Sequence, residues 1–223
     1  VDLTNAIAVV TGANRGLGRQ LTIQLLERGA NVYAGARRPE SVDIPGAVPL
    51  LIDLNDPATL EAAARIAGDA TLLINNAGVA TQQPLIGGDL DSLRLEMETN
   101  YFGTLAVSRA FVPVLKANGG GTILNINSAI AWVHFASDGG YAASKAAGWA
   151  LTNAMREELA PDGIDVTALH VAFIDTDFSA HIPAEQKISP VIIAQRALDG
   201  LAAGQQEILA DDLTRQIKAG LSA

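Results

Sequence analysis

Residues 6–18 read A-I-A-V-V-T-G-A-N-R-G-L-G, and this stretch decides how the chain is read. Its first part, Ala6–Thr11, is a short apolar run with β-branched residues, as expected of a strand buried on both faces. Its second part places glycines at 12, 16 and 18, and glycine permits positive φ and close backbone approach. From Leu17 the pattern becomes helical: Leu17, Leu21 and Leu25 share a face, with Gln20 and Gln24 outside it. The order is therefore strand, glycine turn, helix. Free N–H groups and the positive dipole end of such a helix make a site for phosphate. An ordinary glycine-rich turn would use the same residue types. The position of this one, after the first strand and at the opening of the first helix, favours a dinucleotide site.

The same alternation continues outward. Further strands are predicted at 31–35, 48–53, 71–75, 122–127, 165–170 and 206–210. Helices are predicted near 17–28, 57–67, 91–117, 140–160, 190–203 and 211–220. Continuous apolar strands separated by helices imply a parallel sheet covered on both faces. The expected class is α/β: a doubly wound, Rossmann-type sheet of about seven strands. Gly87–Gly88 and Gly119–Gly121 read as turns, and no repeat, low-complexity tract or linker divides the chain. A single domain over 1–223 is expected to carry both cofactor and substrate sites.

Composition narrows the function. About half of the 223 residues are apolar and 17% are charged, which is a globular balance. Aromatic residues are only 4%, so aliphatic side chains must fill the core. There is no cysteine, and His134, His170 and His181 are scattered, so no metal site is expected. The net charge of −9 disfavours nucleic acid and anionic membranes as partners. No apolar run is long enough to span a bilayer and no signal peptide is visible, so a cytoplasmic location is expected.

The turn is T-G-x-x-x-G-x-G, residues 11–18, and its spacing resembles that of the short-chain dehydrogenase/reductase family. The resemblance implies cofactor contacts from Gly12, Asn14, Arg15, Gly16, Leu17 and Gly18. The second strand ends in A-G-A-R-R, residues 34–38. An acidic residue there would bind the ribose hydroxyl of NAD, but the place is Ala36. Arg37 and Arg38 follow it, and Arg15 lies in the turn. Guanidinium groups suit a 2′-phosphate, so NADP(H) is favoured over NAD(H), with Arg37 the stronger candidate. A solvated surface pair is the competing reading. Asp53-Leu54 matches the place where the family holds adenine, although an aspartate there also suits a helix cap. Asn75-Asn76-Ala77-Gly78 matches the family segment that supports the sheet and lines the cofactor, with Asn76, Ala77 and Gly78 as contacts.

A second constellation follows. Tyr141 and Lys145, in Y-A-A-S-K, stand four positions apart and share a helix face. An ammonium beside a phenol favours the phenolate and brings its pKa toward working pH. The spacing is common by chance, but Ser128 ends the fifth strand upstream and Asn100 lies in N-Y-F-G. Asparagine is a weak former in a helix interior and needs a reason to be there. These segments occur in family order across nearly the whole chain. The resemblance implies that Tyr141 is general acid or base and that Lys145 lowers its pKa and binds the nicotinamide ribose. It further implies that Ser128 orients the carbonyl and that Asn100 supports a proton relay. The implied activity is hydride transfer between NADP(H) and a carbonyl or secondary alcohol. Two competing classes are weaker. A silent cofactor sensor would be expected to lose Tyr141 or Lys145, and an epimerase or dehydratase would carry a different glycine spacing.

One segment departs from the family pattern. After the sixth strand the usual Pro-Gly pair is replaced by Val171 and Ala172. Ile174 and Thr176 still match positions that hold the carboxamide. The following stretch, Asp177–Ser189, is short for a substrate lid. Pocket walls are expected from Val79–Thr81, Ala129–Phe135, Phe173 and Phe178, with Trp132 and Phe135 as an apolar wall unless they pack on the sheet. His134 is expected at the surface or rim. A homodimer or homotetramer is implied, with Ala146, Ala147, Trp149 and Ala150 as a contact face unless they pack on their own sheet.

Overall fold

The computed structural model describes residues 1–221, so the last two positions of the expected 1–223 domain lie outside it. The strands are β1 (Ile7–Thr11), β2 (Asn31–Ala36), β3 (Val48–Leu51), β4 (Leu72–Asn75), β5 (Gly121–Ile126), β6 (Ile164–His170) and β7 (Glu207–Leu209). They form one parallel sheet in the order β3-β2-β1-β4-β5-β6-β7. The helices are α1 (Gly16–Glu27), α2 (Pro57–Ile66), α3 (Leu90–Met97), α4 (Thr104–Ala117), α5 (Gly139–Leu159), α6 (Pro190–Ala202) and α7 (Asp212–Gly220).

Strand alternation sorts the core into two layers. Ala8, Val10, Leu72 and Ile74 face one side, where Leu21 and Leu25 of α1 and Ile193, Ala197 and Leu198 of α6 cover them. Val9, Leu73, Ile123 and Val166 face the other, under Leu60 of α2, Phe111 and Leu115 of α4, and Met155 of α5. The central strands β1 and β4 are therefore apolar in both phases, whereas the edge strands β3 and β7 are buried in one. Full burial of each large aliphatic or aromatic side chain is worth about 1.5–3 kcal/mol.

The predicted helix 91–117 is divided. Glu98–Gly103 forms a π-helical turn between α3 and α4, and Asn100 sits inside it. The strand order reverses between β1 and β4, which opens a crevice at their carboxyl ends, the usual ligand position of such sheets. Beneath that crevice runs a buried polar line. The Asn75 side-chain amide donates to Ser108 Oγ at 3.0 Å and to Asn125 Oδ1 at 2.9 Å, and Asn125 donates to Thr152 Oγ1 at 3.0 Å. It ties β4 and β5 to α4 and α5 under the site.

Candidate active site

The crevice is an elongated cavity of about 910 Å3. At one end the chain leaves β1 through Gly12 (φ 65°) and enters α1 through Gly16 (φ 55°), both left-handed conformations that glycine adopts without penalty. Gly18 does not line the cavity. A Cβ there would stand 2.2 Å from the Gly12 carbonyl oxygen, so its absence lets α1 close on the turn. Asn76 locks the same turn by donating to Thr11 O at 2.9 Å and Gly12 O at 3.2 Å. The Thr11 hydroxyl accepts from the N–H groups of Asn76 and Ala77, both at 3.0 Å.

Gly12, Asn14, Arg15, Gly16, Leu17, Arg37 and Arg38 all border this end. Arg37 and Arg38 are exposed, and neither enters an ion pair among the described residues. Arg15 faces Asp177 across the mouth at 3.8 Å, both largely in solvent. Ser41, which carries no sequence signal, joins the group: its hydroxyl accepts from Asn14 at 3.1 Å. Asp53, Leu54, Ala77 and Gly78 line the middle. Asp53 does not cap α2; Asp56 does, accepting from Ala58 N.

At the other end Ser128, Tyr141 and Lys145 meet. Lys145 is 8% exposed. Its Nζ donates to Ile126 O at 2.9 Å and lies 5.7 Å from the Tyr141 ring centroid. Burial pushes its pKa down to about 8. The expected lowering of the Tyr141 pKa by Lys145 is not what the site gives: the phenol is raised above its ordinary value, first by burial and then by the Glu96 and Asp138 carboxylates, with only the Ser128 hydroxyl acting to lower it. Phe178 packs on it at 5.7 Å. The Ser128 hydroxyl donates to Val171 O at 3.2 Å and accepts from Ile130 N at 3.2 Å.

Asn100 stands behind the cavity rather than in its wall. Its amide accepts from Val79 N (2.9 Å) and donates to Val79 O (2.8 Å) and Ser144 Oγ (2.9 Å), and its carbonyl accepts from the Thr104 hydroxyl at 2.9 Å. A Cβ on Gly78 would lie 3.0 Å from Asn100 Oδ1 and 3.8 Å from Lys145 Nζ, so Gly78 keeps open the space between them. Ile174 and Thr176 border the cavity. Ile174 O accepts from the Ser179 hydroxyl, and Thr176 Cγ2 lies 3.3 Å from where a Cβ on Gly16 would stand.

The expected walls are present in part. Val79, Ala80, Ala129, Ile130, Val133, Phe135, Phe173 and Phe178 line the cavity; Trp132 and Thr81 do not. Trp132 stacks on the buried His170 at 4.1 Å and lies under Lys218 Nζ at 4.3 Å, which is the packing alternative. Burial holds the His170 imidazole well below its usual pKa. His134 is exposed. Three features besides Ser41 lacked a sequence signal. Glu96, 1% exposed, accepts from Thr81 N and Oγ1 at 2.6 and 2.9 Å. Leu213 and Ile217 of α7 add an apolar wall. Asp211, at the start of α7, reaches Ala172. Among the described residues no cluster of His, Cys, Asp and Glu could hold a metal ion, and no helix is long and apolar enough to cross a membrane.

The residues fit a dinucleotide: two positive-φ glycines and a helix start at one end, the exposed guanidinium groups of Arg37 and Arg38 beside them, and a phenol–ammonium pair at the other. Comparison with known proteins agrees. The short chain dehydrogenase family matches residues 6–187, and the chain belongs to this family of oxidoreductases. A short chain dehydrogenase from Burkholderia cenocepacia, solved in complex with NADP, superposes with TM-score 0.96 at 41% identity, covering 100% of this chain and 95% of that one. The NADPH-dependent 1-acyldihydroxyacetone phosphate reductase of Schizosaccharomyces pombe is 33% identical over 75% of this chain but only 60% of its own length. The 3-oxoacyl-(acyl-carrier-protein) reductase of Salmonella typhimurium is 31% identical over 91% of this chain and 86% of its own.

Proposed function

We propose that this chain is an NADP(H)-dependent carbonyl reductase or alcohol dehydrogenase in which Tyr141 carries the proton. One observation carries the reading: a single cavity joins exposed, unpaired Arg37 and Arg38 at one end to Ser128, Tyr141 and Lys145 at the other. The cofactor-binding set is Gly12, Asn14, Arg15, Gly16, Leu17, Arg37, Arg38, Asp53, Leu54, Asn76, Ala77, Gly78, Tyr141, Lys145, Ile174 and Thr176, with Gly18 acting through packing. Both cofactor and substrate sites sit on the one sheet. Arg37, with Arg38 beside it, holds the 2′-phosphate; NADP(H) as the cofactor is supported by the NADP bound to the Burkholderia relative and by the NADPH dependence of the yeast one.

When bound, the nicotinamide gives or takes the hydride. The protein manages the proton. Ser128 places the substrate oxygen beside the Tyr141 phenol. In reduction the phenol donates its proton to that oxygen; in oxidation the phenolate takes it back. A phenol whose pKa is raised above its ordinary value is protonated at neutral pH, which suits donation. The ammonium of Lys145 stabilises the phenolate left behind and holds the nicotinamide ribose. Asn100 supports the proton relay to Lys145 by fixing Val79 and Ser144 from its π turn. The apolar walls from Val133, Phe135, Phe173 and α7 favour an apolar ketone or aldehyde.

The chain is proposed to act in the cytoplasm on a small molecule, without nucleic acid or membrane, as a homodimer or homotetramer. Trp149 is partly committed to its own chain through Trp132 and Lys218, which leaves Ala146, Ala147 and Ala150 as the face for a second copy. Sedimentation at micromolar concentration should give a dimer or tetramer; monomer alone would refute this. The activity is tested by following NADPH consumption over a panel of ketones and aldehydes. Turnover by the wild type and its loss in Tyr141→Phe support the reading; equal turnover in both would remove it.

A further inference from the structure

After β6 the chain reads Val171-Ala172, so the stiffness of a proline is absent just where β6 delivers the backbone to the Ser128–Tyr141–Lys145 end of the cavity. The structure replaces it with hydrogen bonds. Val171 O accepts from the Ser128 hydroxyl at 3.2 Å and from Ala129 N at 3.0 Å. Ala172 N–H donates to Asp211 Oδ2 at 2.9 Å across a separation of 39 residues. Asp211 is 7% exposed. Its Oδ1 accepts from Thr214 N, and its Oδ2 also accepts from Thr214 Oγ1, both at 2.8 Å. One residue away, Ala210 N–H donates to His170 O at 2.9 Å, so two consecutive residues after β7 grip two nearby residues at the end of β6.

Capping α7 requires only the Thr214 bonds. The bond to Ala172 lies outside α7 and serves the other partner. Ala172 borders the cavity, as do Phe173, Ile174 and Thr176 beyond it, and α7 contributes Leu213 and Ile217 to the same space. We propose that Asp211 is a positioning residue of the hydride-transfer site: it fixes the Val171–Ile174 backbone beside Ser128 and ties the α7 wall to it. The proposal rests on the cavity being the NADP(H) site, and it makes the reactive end of the cofactor depend on a carboxylate that touches no substrate.

The experiment compares two ligands. NADPH spans the whole cavity, whereas 2′,5′-ADP carries only the adenosine and 2′-phosphate end. Asp211→Ser keeps a capping hydroxyl but is too short to reach both partners, and Asp211→Asn has one acceptor oxygen for donors that require both. A buried donor left without its acceptor is expected to weaken NADPH binding and turnover about tenfold. Binding of 2′,5′-ADP should stay within about twofold. Asp212→Asn, at an exposed neighbour, should change neither. Amide hydrogen exchange of the cofactor-free wild type supplies a readout independent of folding in the variants: the Ala172 amide should be protected, and should lose protection in Asp211→Ser. Equal weakening of NADPH and 2′,5′-ADP, or fast exchange at Ala172 in the wild type, would overturn the proposal. A wild type that binds neither ligand would refute the NADP(H) reading instead, and the exchange measurement would then decide the role of Asp211 alone.

Discussion

The two ends of the cavity are built on opposite physical terms. The proposed phosphate end is backbone and exposed charge: left-handed glycines, the start of α1, and Arg37 and Arg38 in solvent, unpaired among the described residues. The proposed catalytic end is chemistry held in the protein: Lys145 is 8% exposed, Tyr141 is half-buried, and the surroundings shift the pKa of both. Exposed groups can be removed at little cost to the fold, so the first end should control affinity and cofactor choice. Buried titrating groups couple to pH and packing, so the second should control rate and carry a pH-dependent stability cost.

The largest expected effect lies at the buried end. Tyr141→Phe removes the proposed proton donor and should lower kcat by about 10³-fold, within the range of positioned acid–base groups. Direct titration should find NADPH affinity nearly unchanged. In the wild type, reduction should hold a plateau through neutral pH and fall only on the alkaline side, because the phenol is raised and remains protonated below it.

Next comes the exposed end. The double substitution Arg37→Ala, Arg38→Ala should weaken NADPH binding by roughly 10–100-fold, the loss of charge-assisted hydrogen bonds. NADH binding and the melting temperature should barely change, since both side chains lie in solvent. Equal losses for both cofactors would break the division between the two ends. Gly18→Ala tests the backbone part of that end. Its Cβ would collide with Gly12 O, so α1 must shift, at a cost of about 1–3 kcal/mol. Thermal unfolding and NADPH titration should both register it.

The smallest effect is the pH signature of Lys145 in the cofactor-free protein. Below about pH 8 the amine is charged in both folded and unfolded chains, and the cost of burying that charge is present in full. As pH rises from about 8 toward its ordinary 10.5, the folded chain has released the proton while the unfolded chain still holds it, so stability rises. Between pH 7.5 and 9.5 the wild type should gain up to about 2 kcal/mol relative to Lys145→Met in denaturant unfolding. A gap that stays constant or moves the other way would contradict the burial of the charge.

The same contrast explains what the sequence made legible. The strand–helix alternation, the glycine turn and the Tyr141–Lys145 spacing depend on local patterns: runs of apolar residues, φ at a few glycines, the pitch of one helix. All can be read from neighbours in the chain. The π turn at Asn100 could not be, because helix periodicity over 91–117 hides a single wide turn. Trp132 was ambiguous for another reason. An aromatic in the loop after a strand faces either the cavity or the protein, and the choice was made by His170 and Lys218, both distant in sequence. Ser41, Glu96 and Asp211 share that problem. Each is an ordinary polar residue locally, and each acquires its place through a partner such as Asn14, Thr81 or Ala172 that only the fold brings near.

The central claim is that one cavity carries NADP(H) and a Tyr141-centred proton donor. It is tested most directly by measuring kcat/KM for NADPH and NADH, in parallel, with the best ketone or aldehyde from a panel. The account predicts turnover with a preference for NADPH of at least tenfold, abolished in Tyr141→Phe and reduced in the Arg37, Arg38 double variant. A clear preference for NADH, or turnover retained in Tyr141→Phe, would contradict it.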